Sequence, residues 1–243
     1  MAMTTPRRQS SRQHVHSLGS HVREGFSYAW KSRPLRAILG LLAAVSLVGF
    51  PYTVLLPIVV KVVIGGGPET LGFLVASTGI GAVLGGFYLA SRQSIQGLVW
   101  KVPAAAALFG GGLIAFAYTD SFFLSLFIML VEGFGMMILM AGSNTLIQNL
   151  VDDDKRGRVM SIFAMAFFGV TPFGSLAAGW LAGVIGVVGT IACAGVLTLS
   201  GTLYFGRHLP AIRRAVMRAL AAQRIAAVAT SEVPTGLAAP LEE

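Results

Sequence analysis

Long apolar stretches alternate with short polar runs along this chain, and each stretch is near or above the ~20 residues that a helix needs to cross a bilayer. Hydrocarbon offers no water to backbone N–H and C=O groups, so a spanning segment has to satisfy them inside a helix. The densest interior charge is Asp152-Asp153-Asp154-Lys155-Arg156-Gly157-Arg158, followed by Val159-Met160-Ser161, with apolar segments on both sides. Charge of this density has no place in hydrocarbon, which predicts a loop between two membrane helices. Its three cations mark that loop as cytoplasmic by the positive-inside bias. The sidedness of every other loop then follows by alternation.

Six spans are expected, at about 37–64, 70–90, 102–118, 121–150, 159–185 and 187–205. They form a transmembrane domain over 37–206. It lies between a basic arm with a surface helix (1–36) and a basic amphipathic tail (207–243). With the 152–158 loop inside, the arm, the 91–101 loop and the tail are inside too. All of the 18 Lys and Arg except Lys61 then share one side. The expectation is an all-α, multi-pass protein of the plasma membrane with both termini cytoplasmic. Turns are expected at Gly65–Pro68, at Thr119-Asp120 and at Gly186.

Composition narrows the function classes. Only 12% of residues are charged, about half the share of a soluble domain, and 55% are hydrophobic. The net charge of +8 sits in short loops beside apolar spans, not on one soluble face, which excludes a nucleic-acid partner. His14, His16 and His21 of the arm lack Cys or carboxylate partners, so no metal is expected, and no cofactor. The single Cys193 reads as a buried, inert thiol. An enzyme is not expected: no metal-ligand cluster, nucleophile elbow or phosphate-binding glycine loop is present.

Within the spans, Glu132 stands out, some eleven residues into the fourth helix and so near the midplane. A carboxylate there costs at least ~2.5 kcal/mol and faces a cavity or a partner, as a proton-coupling or cation-recognition residue would. Packing between helices is the plainer alternative. Met136 and Met140 follow on the same helix, either lining an adaptable pocket or packing. Asn144 and Gln148 lie nearer the inner surface, where they either bond across a cavity or cap the helix end. Pro51, Pro57 and the pair Thr171-Pro172 break spans and are candidate hinges, with Thr171 also a candidate cavity residue. Small residues at four-residue spacing, Gly81/Gly85 and Gly179/Gly183, offer close helix approaches.

Several phrases carry a family likeness. Asp153-x-x-Arg156-Gly157-Arg158-Val159-Met160-Ser161 leads into the fifth span, and Arg33-Pro34-Leu35-Arg36 precedes the first. Pro51-Tyr52 and Leu56-Pro57 lie inside the first span. Gly72-x-Leu74-x-Ala76-x-x-Gly79-x-Gly81-Ala82 lies in the second, and Gly169-x-x-Pro172-x-Gly174 in the fifth. Their order resembles helices seven to twelve, the C-terminal half, of a major facilitator superfamily transporter. The nearest branch is that of drug and siderophore exporters. Where that superfamily often carries Gly-x-Leu-Ala-Asp-Arg-x-Gly, this chain has Gly86-Phe87-Tyr88-Leu89-Ala90-Ser91-Arg92, with serine in the acidic place.

The resemblance implies a six-helix bundle of two inverted three-helix repeats, half of a major facilitator fold. It implies a secondary exporter of a small amphipathic organic compound, coupled to protons and working by alternating access. Its partners would be the lipid bilayer and either an N-terminal six-helix half or a second copy of itself. Asp152, Asp154, Arg156, Arg158 and Arg92 become candidates for a conformational latch between helix ends, or simply for topology signals. The other function class left open is a six-span membrane interaction protein or a truncated remnant that carries nothing.

Overall fold

The computed structural model describes residues 26–91 and 95–231, and Arg92, the arm up to residue 25 and residues 232–243 lie outside it. Every regular element among the described residues is helical. A short surface helix, α1 (residues 26–31), leads into α2 (Arg33–Ile64), α3 (Pro68–Ala90), α4 (Ile95–Ala117) and α5 (Phe122–Leu150). Then come α6 (Asp153–Ala164) and the long α7 (Thr171–Ser231). Among the described residues, five helical stretches are long and apolar enough to cross a membrane. The last of them, Asp153–Arg218, is far longer than one crossing at ~1.5 Å per residue.

That last stretch is divided at Gly186, whose φ of 80° and ψ of 165° leave the helical region. The two arms fold against each other. Gly174, Ala178 and Leu181 before the break and Ile191, Ala194 and Leu197 after it line one apolar cavity of about 240 Å³. Only glycine adopts this backbone without strain. The turn expected from a lone glycine between two apolar runs is therefore present, and it makes the sixth crossing.

Prolines shape α2 and the junction of α6 with α7. A proline has no N–H and its ring crowds the carbonyl four residues back, so the preceding turn widens. Val45–Gly49 is a π-helical turn directly before Pro51, with the Phe50 N–H bonded to the Val45 carbonyl five residues back at 2.8 Å. Met165–Gly169 is another, directly before Thr171-Pro172. A third, Val60–Ile64, follows Pro57 and ends at Gly65, with φ 72°. All three candidate hinges thus coincide with locally irregular helix.

Glycines set the helix contacts. A β-carbon at Gly81 of α3 would strike the Leu130 carbonyl of α5, and one at Gly133 of α5 would strike the Thr78 carbonyl of α3. Gly81/Gly85 therefore is a close-approach step. Gly179/Gly183 is not: neither has a protein atom within 4 Å of a β-carbon position. Gly195 of α7 and Gly110 of α4 face each other, and Gly174 lies against the Leu47 carbonyl and Pro51 ring of α2.

Other expectations need correction. The charged run is not a loop: helix α6 begins at Asp153, with Asp153 and Asp154 in its first turn, where carboxylates favour the helix dipole. Helix α4 begins at Ile95, inside the stretch read as polar loop, and carries Pro103 within it. Up to Ser231 the tail is a direct continuation of α7, and Ile212 and Val216 are buried in the core. Cys193 is exposed, not buried.

Candidate functional site

Glu132 is fully buried. It projects from α5 into the meeting point of α2, α3 and α4. Gly112 of α4 makes the room: a β-carbon there would stand 2.9 Å from Glu132 Cγ and 3.3 Å from its Oε1. The Tyr52 hydroxyl of α2 faces the Glu132 carboxyl and Thr78 of α3. That approach falls outside good hydrogen-bond geometry, since neither Glu132 oxygen has a hydrogen-bonded partner. Tyr52 is itself only 5% exposed and meets Phe109 of α4 edge to face, ring centres 6.1 Å apart.

More buried polar atoms lie around the same helices. The hydroxyls of Ser125 and Ser143 on α5 and of Thr198 on α7 have no hydrogen-bond partner. Thr198 Oγ1 lies 3.1 Å from where a β-carbon on Gly49 would be, so it shares the packing around Phe109 and α2. Buried polar groups without partners are rare in folded chains and mark sites that ask for an explanation.

The other expected cavity residues separate into different surroundings. Met136 and Met140 are half-buried and pack against the core. Asn144 and Gln148 bond to each other, the Gln148 amide donating to Asn144 Oδ1 at 2.9 Å, and neither caps the end of α5. Thr171 joins a hydrogen-bonded group. Its hydroxyl donates to the Phe167 carbonyl at 2.7 Å and lies 2.8 Å from the Ser46 hydroxyl, and Ser46 also bonds the Phe167 carbonyl. Ser46 belongs to the π-helical turn before Pro51, and Phe167 to the one before Pro172. Two irregular turns are thus tied by side chains through a carbonyl that a π-helical stretch leaves open to a second donor.

The charged run is paired mostly with itself. Lys155 Nζ is 3.3 Å from Asp152 and 3.8 Å from Asp154, and Arg156 pairs with Asp153. Asp152 also accepts from the Tyr28 hydroxyl at 3.3 Å, and Lys155 sits over the Tyr28 ring at 4.9 Å. Burial, and then the negative charge of Asp152, push the Tyr28 phenol above its ordinary range. The Arg158 carbonyl accepts from Ser161 at 2.8 Å. This cluster lies ~30 Å along α5 from Glu132 at ~1.5 Å per residue, so the structure does not bring the two together. Tyr52, Thr78, Gly112, Ser46 and Thr198 complete the buried sites and were not singled out by sequence for them. For Ser46 the available signal is a lone hydroxyl in an apolar run.

No group of three His, Cys, Asp or Glu side chains lies together among the described residues. The family described as "transmembrane secretion effector" matches residues 1–232. The staphyloferrin A transporter of Staphylococcus aureus (strain NCTC 8325 / PS 47) is 30% identical over 157 residues, which are 65% of this chain and 39% of that relative. The aligned part is therefore well under half of the relative's length. No solved structure matches the chain.

Proposed function

The chain belongs to the transmembrane secretion effector family of the major facilitator superfamily, a family of transporters and not of enzymes, and from that premise we propose that it forms the C-terminal six-helix half of a proton-coupled exporter. Its substrate is a small amphipathic organic compound, carried by alternating access across the plasma membrane with both ends of the chain cytoplasmic. A relative whose name is that of a staphyloferrin A transporter supports a small organic solute. The gathering of every Lys and Arg but Lys61 outside one set of span ends supports the sidedness.

The observation that carries this reading is Glu132: a fully buried carboxyl, mid-span, with both oxygens unpartnered. Protonated, it crosses a closed state at low cost. Exposed to water on one side, it exchanges its proton. The other six helices come from an N-terminal half or from a second copy, covering apolar faces such as that of α3, where Phe73, Ile80, Val83 and Phe87 are exposed.

The test is pH-gradient-driven movement of an amphipathic fluorescent dye in membrane vesicles holding the chain, alongside Glu132→Gln. The expected result is loss of dye movement in the variant at unchanged protein level. Dye movement that persists in Glu132→Gln overturns the proton role and leaves transport standing. No movement with the unaltered chain, together with no cross-linked second copy, overturns self-assembly as the working form.

A further inference from the structure

A groove of about 560 Å³ opens between α1, the start of α2, α6 and the second arm of α7. Its chemistry is sorted along its length. Arg33 and Arg36 stand at the end near the start of α2, with Trp30, Tyr204 and His208 around them. Deeper along the same helix face the wall is Ala37, Gly40 and Ala43, closed from the far side by Ile162 and Ala166. Arg33, Arg36, Gly40 and Ala43 recur at helical spacing, so they share one face of α2 over ~15 Å.

The floor and the rim are both unspent. Gly40 has no protein atom within 4 Å of where a β-carbon would be, so bare backbone lines the middle of the groove. Among the described residues, Arg33 and Arg36 form no ion pair and no Asp or Glu lines the groove. The Arg36 guanidinium lies 5.7 Å from the centre of the Trp30 ring, a cation–π contact that occupies no carboxylate. Phe26 stacks on Trp30 at 5.4 Å, and the Tyr204 and His208 rings are 4.9 Å apart, which gives the rim an aromatic collar.

We propose that this groove binds one anionic phospholipid, its phosphate held by Arg33 and Arg36 and one acyl chain laid along Ala37, Gly40 and Ala43. The sorting of the groove matches the lipid's own: charge at the membrane surface, an aromatic belt at headgroup level, hydrocarbon below. A zwitterionic lipid would bring its own cation toward two arginines with no carboxylate to meet it. A free phosphate would leave the apolar half of the groove empty. The proposal needs only that the chain spans a membrane, and stands apart from the transport reading.

The experiment uses the full chain with Trp100→Phe and Trp180→Phe, which leaves Trp30 as the one tryptophan of three. It is reconstituted in mixed vesicles of phosphatidylcholine and phosphatidylglycerol, with bromine on the acyl chains of one lipid or the other. Brominated phosphatidylglycerol is expected to quench Trp30 at a several-fold lower mole fraction than brominated phosphatidylcholine, about five-fold for each arginine engaged. Arg33→Gln with Arg36→Gln is expected to erase that difference. Gly40→Leu, whose β-carbon would meet no protein atom within 4 Å, is expected to weaken quenching by both lipids. Equal quenching by the two lipids overturns the proposal, as does a preference that survives the double substitution or is displaced by millimolar inorganic phosphate. A chain whose only tryptophan is Trp100 is expected to keep its quenching when both arginines are substituted. A parallel loss there would assign the effect to misfolding and overturn the proposal too.

Discussion

A β-carbon on Gly112 of α4 would stand 2.9 Å from Cγ of Glu132 on α5. The buried carboxyl occupies its place because the facing helix has no side chain there. One glycine on a neighbouring span therefore decides whether the acidic residue fits at the centre of the bundle.

Gly112→Ala is expected to push on Glu132 and lower the thermal midpoint in detergent by an amount equivalent to roughly 1–3 kcal/mol of overpacking. Gly111→Ala, which meets nothing within 4 Å, is the matched control and should leave the midpoint in place. Equal midpoints for the two variants would contradict the notch.

Tyr52→Phe keeps the ring against Phe109 and removes the hydroxyl that faces Glu132 and Thr78. The pH profile of dye movement is expected to shift at unchanged protein yield. Tyr52→Ala also strips the wall of the apolar cavity beside α7 and should lose stability on the order of 3–5 kcal/mol. A Tyr52→Phe variant with an unmoved pH profile would remove the hydroxyl from any coupling role.

Gly81→Ala drives a methyl into the Leu130 carbonyl, and backbone cannot yield as a flexible side chain can. Loss of folded protein, measured as the monodisperse fraction after extraction, is the expected outcome. Gly79→Ala, two residues away and open to 4 Å, should extract like the unaltered chain.

Gly186→Ala places a β-carbon on a residue with φ 80° and ψ 165°, a conformation costing about 1–3 kcal/mol for other residues. The hairpin between the two arms of α7 should weaken, read as faster proteolysis between them. Gly183→Ala adds the same methyl on ordinary helix in open space and should not change the digestion rate. Identical digestion of both would show that the turn carries no strain.

How much of this was legible beforehand follows from what each signal measures. The spans and the break at Gly186 are visible because apolar length and a lone turn glycine are local, linear properties. The family likeness was legible for the same reason, since its phrases are short and ordered along the chain. Boundaries were harder: α4 and α7 run past their apolar cores because α4 and the tail of α7 pack on each other, as Trp100 beside Leu209 and Met217 shows.

The sequence by itself determined that this chain crosses a membrane repeatedly as helices, where the charges must stay outside, and that Glu132 is the anomaly within. Tertiary structure alone decided which face of each helix turns inward. It chose Gly81 over Gly179 as a contact, turned Cys193 outward, tied Ser46 to Thr171 and set Gly112 against Glu132. The physical reason is the solvent. In water an apolar stripe marks the buried face of a helix, but in lipid both faces are apolar and the stripe vanishes. Rotation about each helix axis is then fixed by the fit of all the helices together.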